Sequence, residues 1–219
     1  MDNDLLKSLN NYLTPDLITQ ASDTLGETEA NVFKSITNAI PTLLMGMLNK
    51  TNDSTTMDLI MSLANSNDLD TSGVLLDLPR SLSSDRKKTT VEAGTTMLNL
   101  LFGNKQSSLF DILVNVTGVK KTSVSRIMLM TAPMILAYIR KSEYTTETLK
   151  QALLSQQDQI AKQAPSELPA FLKQSQHVKP EKKTRVRTHK RKKTEAPNTK
   201  WILPFLIFIA SLLILYIMS

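Results

Sequence analysis

Cysteine is absent from this 219-residue chain, and histidine occurs only twice, as His177 and His189. Without thiols the protein forms neither disulfide bonds nor a thiolate nucleophile, which is typical of proteins in a reducing compartment. Both histidines lie in a proline-containing basic segment, where no packed core would hold an imidazole ring in place for acid–base catalysis. Glycine is also scarce, with six residues, and no glycine-rich phosphate loop is present. These absences argue against an enzyme, and we predict no catalytic residue, cofactor or metal site.

Strand-length runs in which apolar and polar residues alternate are few. Apolar residues instead recur at intervals of three and four, which is the spacing of amphipathic helices. Thr14-Pro15 and Gly26 are the residue types that begin and end a helix. The sequence therefore predicts an all-α domain over residues 1–163, a multi-helix bundle of eight or nine helices.

Two details of this helix prediction depend on breaker residues. The third helix, which ends near Leu48, contains Pro41, and a proline inside a helix removes one backbone hydrogen bond. We therefore expect a kink or a division at Pro41. Thr145 is expected to open the last helix of the domain, which runs without a break to about Gln163.

An internal repeat appears when the sequence is shifted by 92 residues. Each copy then has a turn glycine followed fifteen residues later by a proline, within about residues 17–48 and 109–140. The aligned positions are Gly26 with Gly118 and Pro41 with Pro133. We interpret the copies as two similar halves of one bundle rather than two binding faces, because no polar constellation is duplicated with the scaffold.

The second copy also carries a family resemblance. The second copy and the residues just before it contain a Gly103-Asn-Lys105-Gln106 step, the turn glycine at Gly118, a Ser123-Val-Ser-Arg126 helix start and an Ala132-Pro133 step within an apolar run. In these motifs the chain resembles the YidB-like bacterial domains of unknown function, over about residues 5–163. The resemblance implies an all-helical fold in a bacterium, often beside a membrane span, and supplies no activity. Residues 51–88 depart from the family by being poor in glycine.

The segment 118–127 also looks like the turn and recognition helix of a helix-turn-helix unit. Only a few of its residues could touch DNA phosphates, namely Lys120, Lys121, Ser123 and Arg126. The helix that follows is apolar as far as Ile139, so it leaves no face for DNA. We therefore favour core packing for this helix.

The most apolar stretch of the chain is the run of eighteen uncharged residues from Trp201 to Met218. As a helix it would be roughly 27 Å long, close to the ~30 Å hydrocarbon core of a bilayer. Trp201 and Tyr216 lie near its two ends, where amphipathic rings favour the headgroup level. Pro204 falls in the first turn, where a helix tolerates proline. We predict one transmembrane helix over residues 201–218.

The residues before this run are strongly basic. Residues 179–200 hold ten Lys or Arg and two Glu, whereas residues 1–178 hold 16 basic and 18 acidic residues. The segment has prolines at 165, 169, 180 and 197 and almost no apolar residues after Leu172, which predicts a disordered linker over 164–200. The positive-inside rule places the basic side in the cytoplasm. We expect a tail-anchored, single-pass protein of the inner membrane with its N-terminal domain cytoplasmic.

The basic tail, residues 179–193, has three open interpretations. It can be a topology signal, a site of attraction to anionic lipid, or a non-specific nucleic-acid contact. Its central basic residues are Lys182, Lys183, Arg185, Arg187, Lys190, Arg191, Lys192 and Lys193. The predicted function is a membrane-anchored binding or scaffold protein whose partners are the bilayer and another protein. The alternative is a membrane tether for nucleic acid or anionic lipid.

Overall fold

The computed structural model describes residues 4–66 and 87–176. These parts of the chain are helical and contain no strand, which confirms the predicted all-α class. The predicted transmembrane helix, 201–218, and the predicted linker beyond Gln176 lie outside the described residues. The helices are α1 (Leu5–Asn10), α2 (Pro15–Leu25), α3 (Glu29–Leu48), α4 (Ser54–Ala64), α5 (Lys87–Phe102), a 3₁₀ turn (Gly103–Lys105), α6 (Gln106–Thr117), α7 (Lys121–Lys141), α8 (Thr146–Ser155), α9 (Gln157–Gln163) and α10 (Leu168–Gln176).

The 92-residue repeat of the sequence is also present in the arrangement of the helices. The starts of α3 and α4 match those of α7 and α8 at this shift, and α2 matches α6 to within one residue. Gly26 and Gly118 both end their helices in the left-handed conformation, with φ of 63° and 79°. Glycine adopts this conformation without the steric cost of a Cβ atom. The bundle is therefore built from two similar helical halves, as predicted, and the repeat extends further than the sequence indicated.

Neither proline divides its helix. α3 continues through Pro41 and α7 continues through Pro133, so the division considered at Pro41 is wrong. Both prolines are buried in the centre of the domain. Packing from every side holds the helix together where one hydrogen bond is lost, because tertiary burial outweighs the local cost of proline.

Helix α5 packs tightly against α7 beside Pro133. Proline has no N–H to donate to the Leu129 carbonyl one turn earlier. Gly94 of α5 lies against this carbonyl: a Cβ atom at Gly94 would be 2.6 Å from Leu129 O and 3.2 Å from Pro133 Cδ. Only a residue without a side chain allows the two helices to pack at this distance.

The centre of the domain is α7. It is the one helix within the described ranges that is long and apolar enough to cross a membrane, but 78% of its most apolar window is buried inside the domain. Buried residues occur on all its sides along the second half of the helix, from Met130 to Ile139. A helix that is apolar all round is expected in the core of a domain as well as in a membrane, and here it is the core helix.

The predicted last helix, from Thr145 to Gln163, is two helices. α8 and α9 are separated at Gln156, whose side-chain Oε1 accepts a hydrogen bond from the Leu5 N–H at 2.9 Å. This contact satisfies a backbone donor in the first turn of α1, which has no partner within its own helix. The sequence did not indicate the break because Gln156 is compatible with a helix interior.

The ordered domain also extends beyond the predicted boundary at residue 163. α10 buries Leu168 and Leu172, and Phe171 packs against the same core. The prediction of a disordered linker is therefore wrong for residues 164–176. Pro165 and Pro169 suggest that the chain is not helical here. Pro169, however, lies in the first turn of α10, where no helical hydrogen bond is lost.

Helix α7 ends in a Schellman motif with an unusual residue in its left-handed position. Glu143 has φ of 54°. Its N–H donates to Arg140 O at 3.0 Å, and the Tyr144 N–H donates to Ile139 O at 3.2 Å. Glycine is the usual residue here, since a side chain in this conformation costs roughly 1 kcal/mol.

Glu143→Gly is therefore expected to raise the free energy of unfolding by roughly 0.5–1 kcal/mol. Denaturant titration of the purified full chain, followed by circular dichroism, measures the change. Thr51→Gly is the matched control, because Thr51 is the equivalent position in the first half and has no positive φ. Its hydroxyl donates to Leu48 O, so this control should be destabilised. A lower stability for Glu143→Gly would contradict the strain.

Candidate functional site at the start of helix α7

The two halves of the domain are joined by a carboxylate at the first turn of α7. Glu27, in the turn between α2 and α3, accepts hydrogen bonds from the Lys120 N–H at 3.3 Å and from Ser123 Oγ at 2.7 Å. An anionic oxygen at a helix N-terminus satisfies free N–H groups and complements the helix dipole. Glu27 therefore caps a helix of the other half.

The repeat explains why α7 needs this external cap. In the first half, Thr28 caps α3 by accepting a hydrogen bond from the Asn31 N–H. The equivalent residue in the second half is Lys120, whose side chain has no acceptor and makes no capping bond. The Glu27 carboxylate instead brings an acceptor to this turn for the Lys120 N–H and the Ser123 hydroxyl.

The cations around this turn are exposed but not all free. Lys120 and Arg126 are exposed to solvent. Lys121 Nζ lies 2.6 Å from a carboxylate oxygen of Asp111 and 2.9 Å from Ser107 Oγ. Such an exposed ion pair contributes little to stability, but it engages Lys121 within the fold.

The helix-turn-helix interpretation fails on the burial of α7. Val124, Ile127 and Met128, in its first two turns, are at most 2% exposed. Ser123 is also buried and already donates to Glu27. A recognition helix needs a free face of side chains for the major groove, and this helix is buried on all its sides from Met130 to Ile139. The core-packing interpretation is confirmed.

Within residues 4–66 and 87–176, two side chains have shifted pKa values, and both shifts have a structural origin. The pKa of Asp53 is lowered by hydrogen bonds from the Thr56 hydroxyl and the Thr56 N–H, because Asp53 caps α4. The pKa of Tyr144 is raised by burial and by the adjacent Tyr138. Among the described residues no group of three or more His, Cys, Asp or Glu could hold a metal ion. Neither shift marks a reactive group.

The predicted site residues fall into two classes. The first class has a structural role and occupies equivalent places in the two halves: the turn glycines Gly26 and Gly118, and the helix prolines Pro41 and Pro133. The anchor residues Trp201, Pro204 and Tyr216 and the basic tail lie outside the described residues. Sequence reasoning missed Glu27, whose contact spans 93 residues of sequence. The available signal was a lysine at the cap position where the first copy has threonine.

Removal of the Glu27 carboxylate tests the contact between the halves. Glu27→Ala is expected to lower the free energy of unfolding by about 1–2 kcal/mol, since the Lys120 N–H and the buried Ser123 hydroxyl lose their acceptor at the start of α7. Thermal unfolding followed at 222 nm measures the loss. Asp23→Ala removes an exposed carboxylate from the adjacent α2 and should change stability by less than about 0.5 kcal/mol. Equal effects of the two substitutions would rule out a capping role.

Comparison with known proteins identifies a family for this arrangement. The family model described as "Bacterial protein of unknown function (DUF937)" matches residues 7–142. The match contains both glycine turns and both proline-containing helices. No curated protein and no solved structure matches the chain. Because the family model covers more than half of the sequence, this chain belongs to the DUF937 family of bacterial proteins of unknown function.

Proposed function

We propose that this chain is a membrane-anchored binding or scaffold protein, with its helical domain held at the cytoplasmic face of the inner membrane. The observation that carries the proposal is the uncharged run 201–218, preceded by ten basic residues in 179–200. An uncharged run of this length suits a bilayer, and the basic flank favours the cytoplasmic side. In this proposal α7 is not the anchor, because 78% of its most apolar window is buried inside the domain.

The polar chemistry of the domain supports binding rather than catalysis. Three of its polar side chains, Glu27, Asp53 and Gln156, each accept a hydrogen bond from a backbone N–H at or near the start of a helix. Each of these groups supports the backbone of a neighbouring helix. A rigid helical domain of this kind is suited to presenting a surface to a protein partner.

The second candidate function is a membrane tether for nucleic acid or anionic lipid. It is favoured by the basic tail, in which eight basic residues lie between Lys182 and Lys193. Each basic residue near an anionic membrane surface contributes about 1 kcal/mol of attraction. Binding to nucleic acid through the same residues would weaken steeply with salt.

The anchor is tested by fractionation of cells that express the full chain or a chain without residues 201–219. The full chain should remain in the membrane pellet after alkaline carbonate extraction, and the truncated chain should be soluble. Protease added to spheroplasts should spare the domain, whereas protease added to inverted vesicles should digest it. Recovery of the full chain in the soluble fraction would refute the proposal.

The role of the tail is tested by replacing its eight central basic residues with Gln, after insertion and orientation have been verified. In-cell crosslinking is followed by purification with and without nuclease at high salt. A protein partner recovered with the Gln variant supports the scaffold function. Nucleic acid recovered with the parent chain alone, and lost in the variant, supports the second candidate.

A further inference from the structure

We propose that the outer surface of α2 and the first turns of α3 bind a basic segment of a partner protein, in which an arginine stacks on Phe33. This surface, here called the acidic face, consists of the exposed side chains of Asp16, Asp23, Glu29 and Phe33. The inference rests on the proposed scaffold function, to which it adds a binding surface and a class of partner.

Helix periodicity and one hydrogen bond place these side chains on a common surface. On α2, Asp16, Thr19 and Asp23 follow one another at spacings of three and four, so they lie along one side of the helix. Thr19 Oγ1 donates to Glu29 Oε1 at 2.6 Å and joins this side of α2 to the start of α3. Glu29 lies four residues before Phe33, so the ring is next to its carboxylate on the surface of α3.

The charge of this region has one sign. Residues 8–33 contain four carboxylates and no Lys or Arg. Of these carboxylates, Glu27 is bound to the first turn of α7. In the described parts of the chain, no ion pair or side-chain hydrogen bond engages Asp16 or Asp23. Lys34 is exposed, but five residues of helix turn it by roughly 140° from Glu29.

The second half of the domain shows what the fold itself requires at these positions. At the 92-residue shift, Thr19 and Glu29 correspond to Asp111 and Lys121. Lys121 Nζ lies 2.6 Å from a carboxylate oxygen of Asp111, so the same two positions tie α6 to α7. The contact between the two helices is therefore kept in both halves, with different chemistry.

The other three positions of the acidic face are uncharged and polar in the second half, where Asp16, Asp23 and Phe33 are replaced by Ser108, Asn115 and Ser125. The second half forms the same pair of helices without these carboxylates and without the ring. Phe33 is also 49% exposed, so most of its contact with the core is missing. The packing of the domain thus does not account for the acidic face.

The chemistry of the acidic face suits arginine. A guanidinium group binds over the face of an aromatic ring and also forms charge-assisted hydrogen bonds with carboxylates. Aromatic and arginine side chains are common anchors of protein interfaces. Carboxylates of one sign repel phosphate groups, which disfavours nucleic acid and anionic lipid at this surface. A segment with several basic residues is complementary to it in charge.

The test measures binding of a fluorescent peptide of alternating Arg and Gly to the purified full chain by anisotropy. The main variant combines Asp16→Ser, Asp23→Asn and Phe33→Ser, which gives the first half the residues of the second half and should preserve the fold. Phe33→Ser alone is the second variant. Leu59→Gln is the matched control, because Leu59 is an exposed apolar residue of α4 whose equivalent is Gln151. Thermal unfolding of each chain verifies that it is folded.

We expect the parent chain and Leu59→Gln to bind the peptide equally, and the triple variant to bind at least about tenfold more weakly. A peptide of alternating Lys and Gly should bind the parent chain more weakly than the Arg peptide, and Phe33→Ser should remove this difference. Equal binding by the parent chain and the triple variant would overturn the proposal. Binding that occurs only after the eight tail residues are replaced with Gln would overturn it too, because the tail would then be the occupant.

This outcome is separate from that of the membrane anchor. An unanchored chain that binds the Arg peptide through Phe33 would refute the anchor and leave the acidic face in place. An anchored chain that fails to bind the peptide would refute the acidic face alone.

Discussion

Gly94→Ala should lower the free energy of unfolding by about 3 kcal/mol or more, the largest effect expected for the addition of a single methyl group to this chain. The new Cβ would lie 2.6 Å from the Leu129 carbonyl oxygen, a backbone atom of the central helix. This atom cannot move like the end of a flexible side chain, so α5 and α7 must separate. Equilibrium denaturation of the detergent-solubilised protein measures the loss.

The sign of this effect makes it informative. Alanine inside a helix is ordinarily more favourable than glycine by about 1 kcal/mol. Alanine is also a better helix former than threonine. Thr96→Ala, at an exposed position two residues along α5, should be neutral or slightly stabilising for this reason. If Gly94→Ala were also stabilising, the close approach of α5 to Leu129 would be disproved.

The second large effect is a rescue. Gly46→Tyr alone is expected to cost about 3 kcal/mol, because its side chain would occupy the space of the Phe102 ring. Phe102→Asn alone removes a buried ring and should cost about 3–5 kcal/mol. The 92-residue shift places Tyr138 at the position of Gly46 and Asn10 at the position of Phe102. The double variant carries the residue pair of these equivalent positions, so its cost should be smaller than the sum of the two single costs.

A double-mutant cycle measures this coupling. We expect the cost of the pair to fall short of the sum of the single costs by at least about 2 kcal/mol. The parent chain and the three variants are compared by urea denaturation at one protein concentration. Additive costs would show that the two halves do not use the equivalent contacts.

Regular features of the fold could be predicted from sequence because they have local causes. Thr14, Pro15 and Gly26 define α2 through capping and backbone conformation. The apolar spacing identified the helices, and the glycine–proline register identified the halves. The continuation of α3 through Pro41 could not be predicted, because it depends on neighbours far away in sequence.

The candidate site was less accessible to prediction than the fold. Glu27 lies in a turn, and a glutamate in a turn cannot be told from an ordinary surface residue by sequence. Its partner Ser123 follows 96 residues later, and a single sequence does not reveal which turns meet. The predicted domain boundary after Gln163 was wrong for a similar reason. Leu168 and Leu172 are buried against the core, and a single sequence does not show which helices they contact.

The dependence of α3 on the second half has a consequence for synthesis on the ribosome. Translation runs from the N-terminus, so α3 leaves the exit tunnel before α7 has been made. At about 5–20 residues per second, the interval between Leu48 and Lys141 lasts roughly 5–20 s. During this interval the side chains of Leu43, Leu44 and Met47, which are fully buried in the finished domain, lack their partners. We therefore expect the nascent first half to bind a holding chaperone and the domain to complete its core only after the second long helix has emerged.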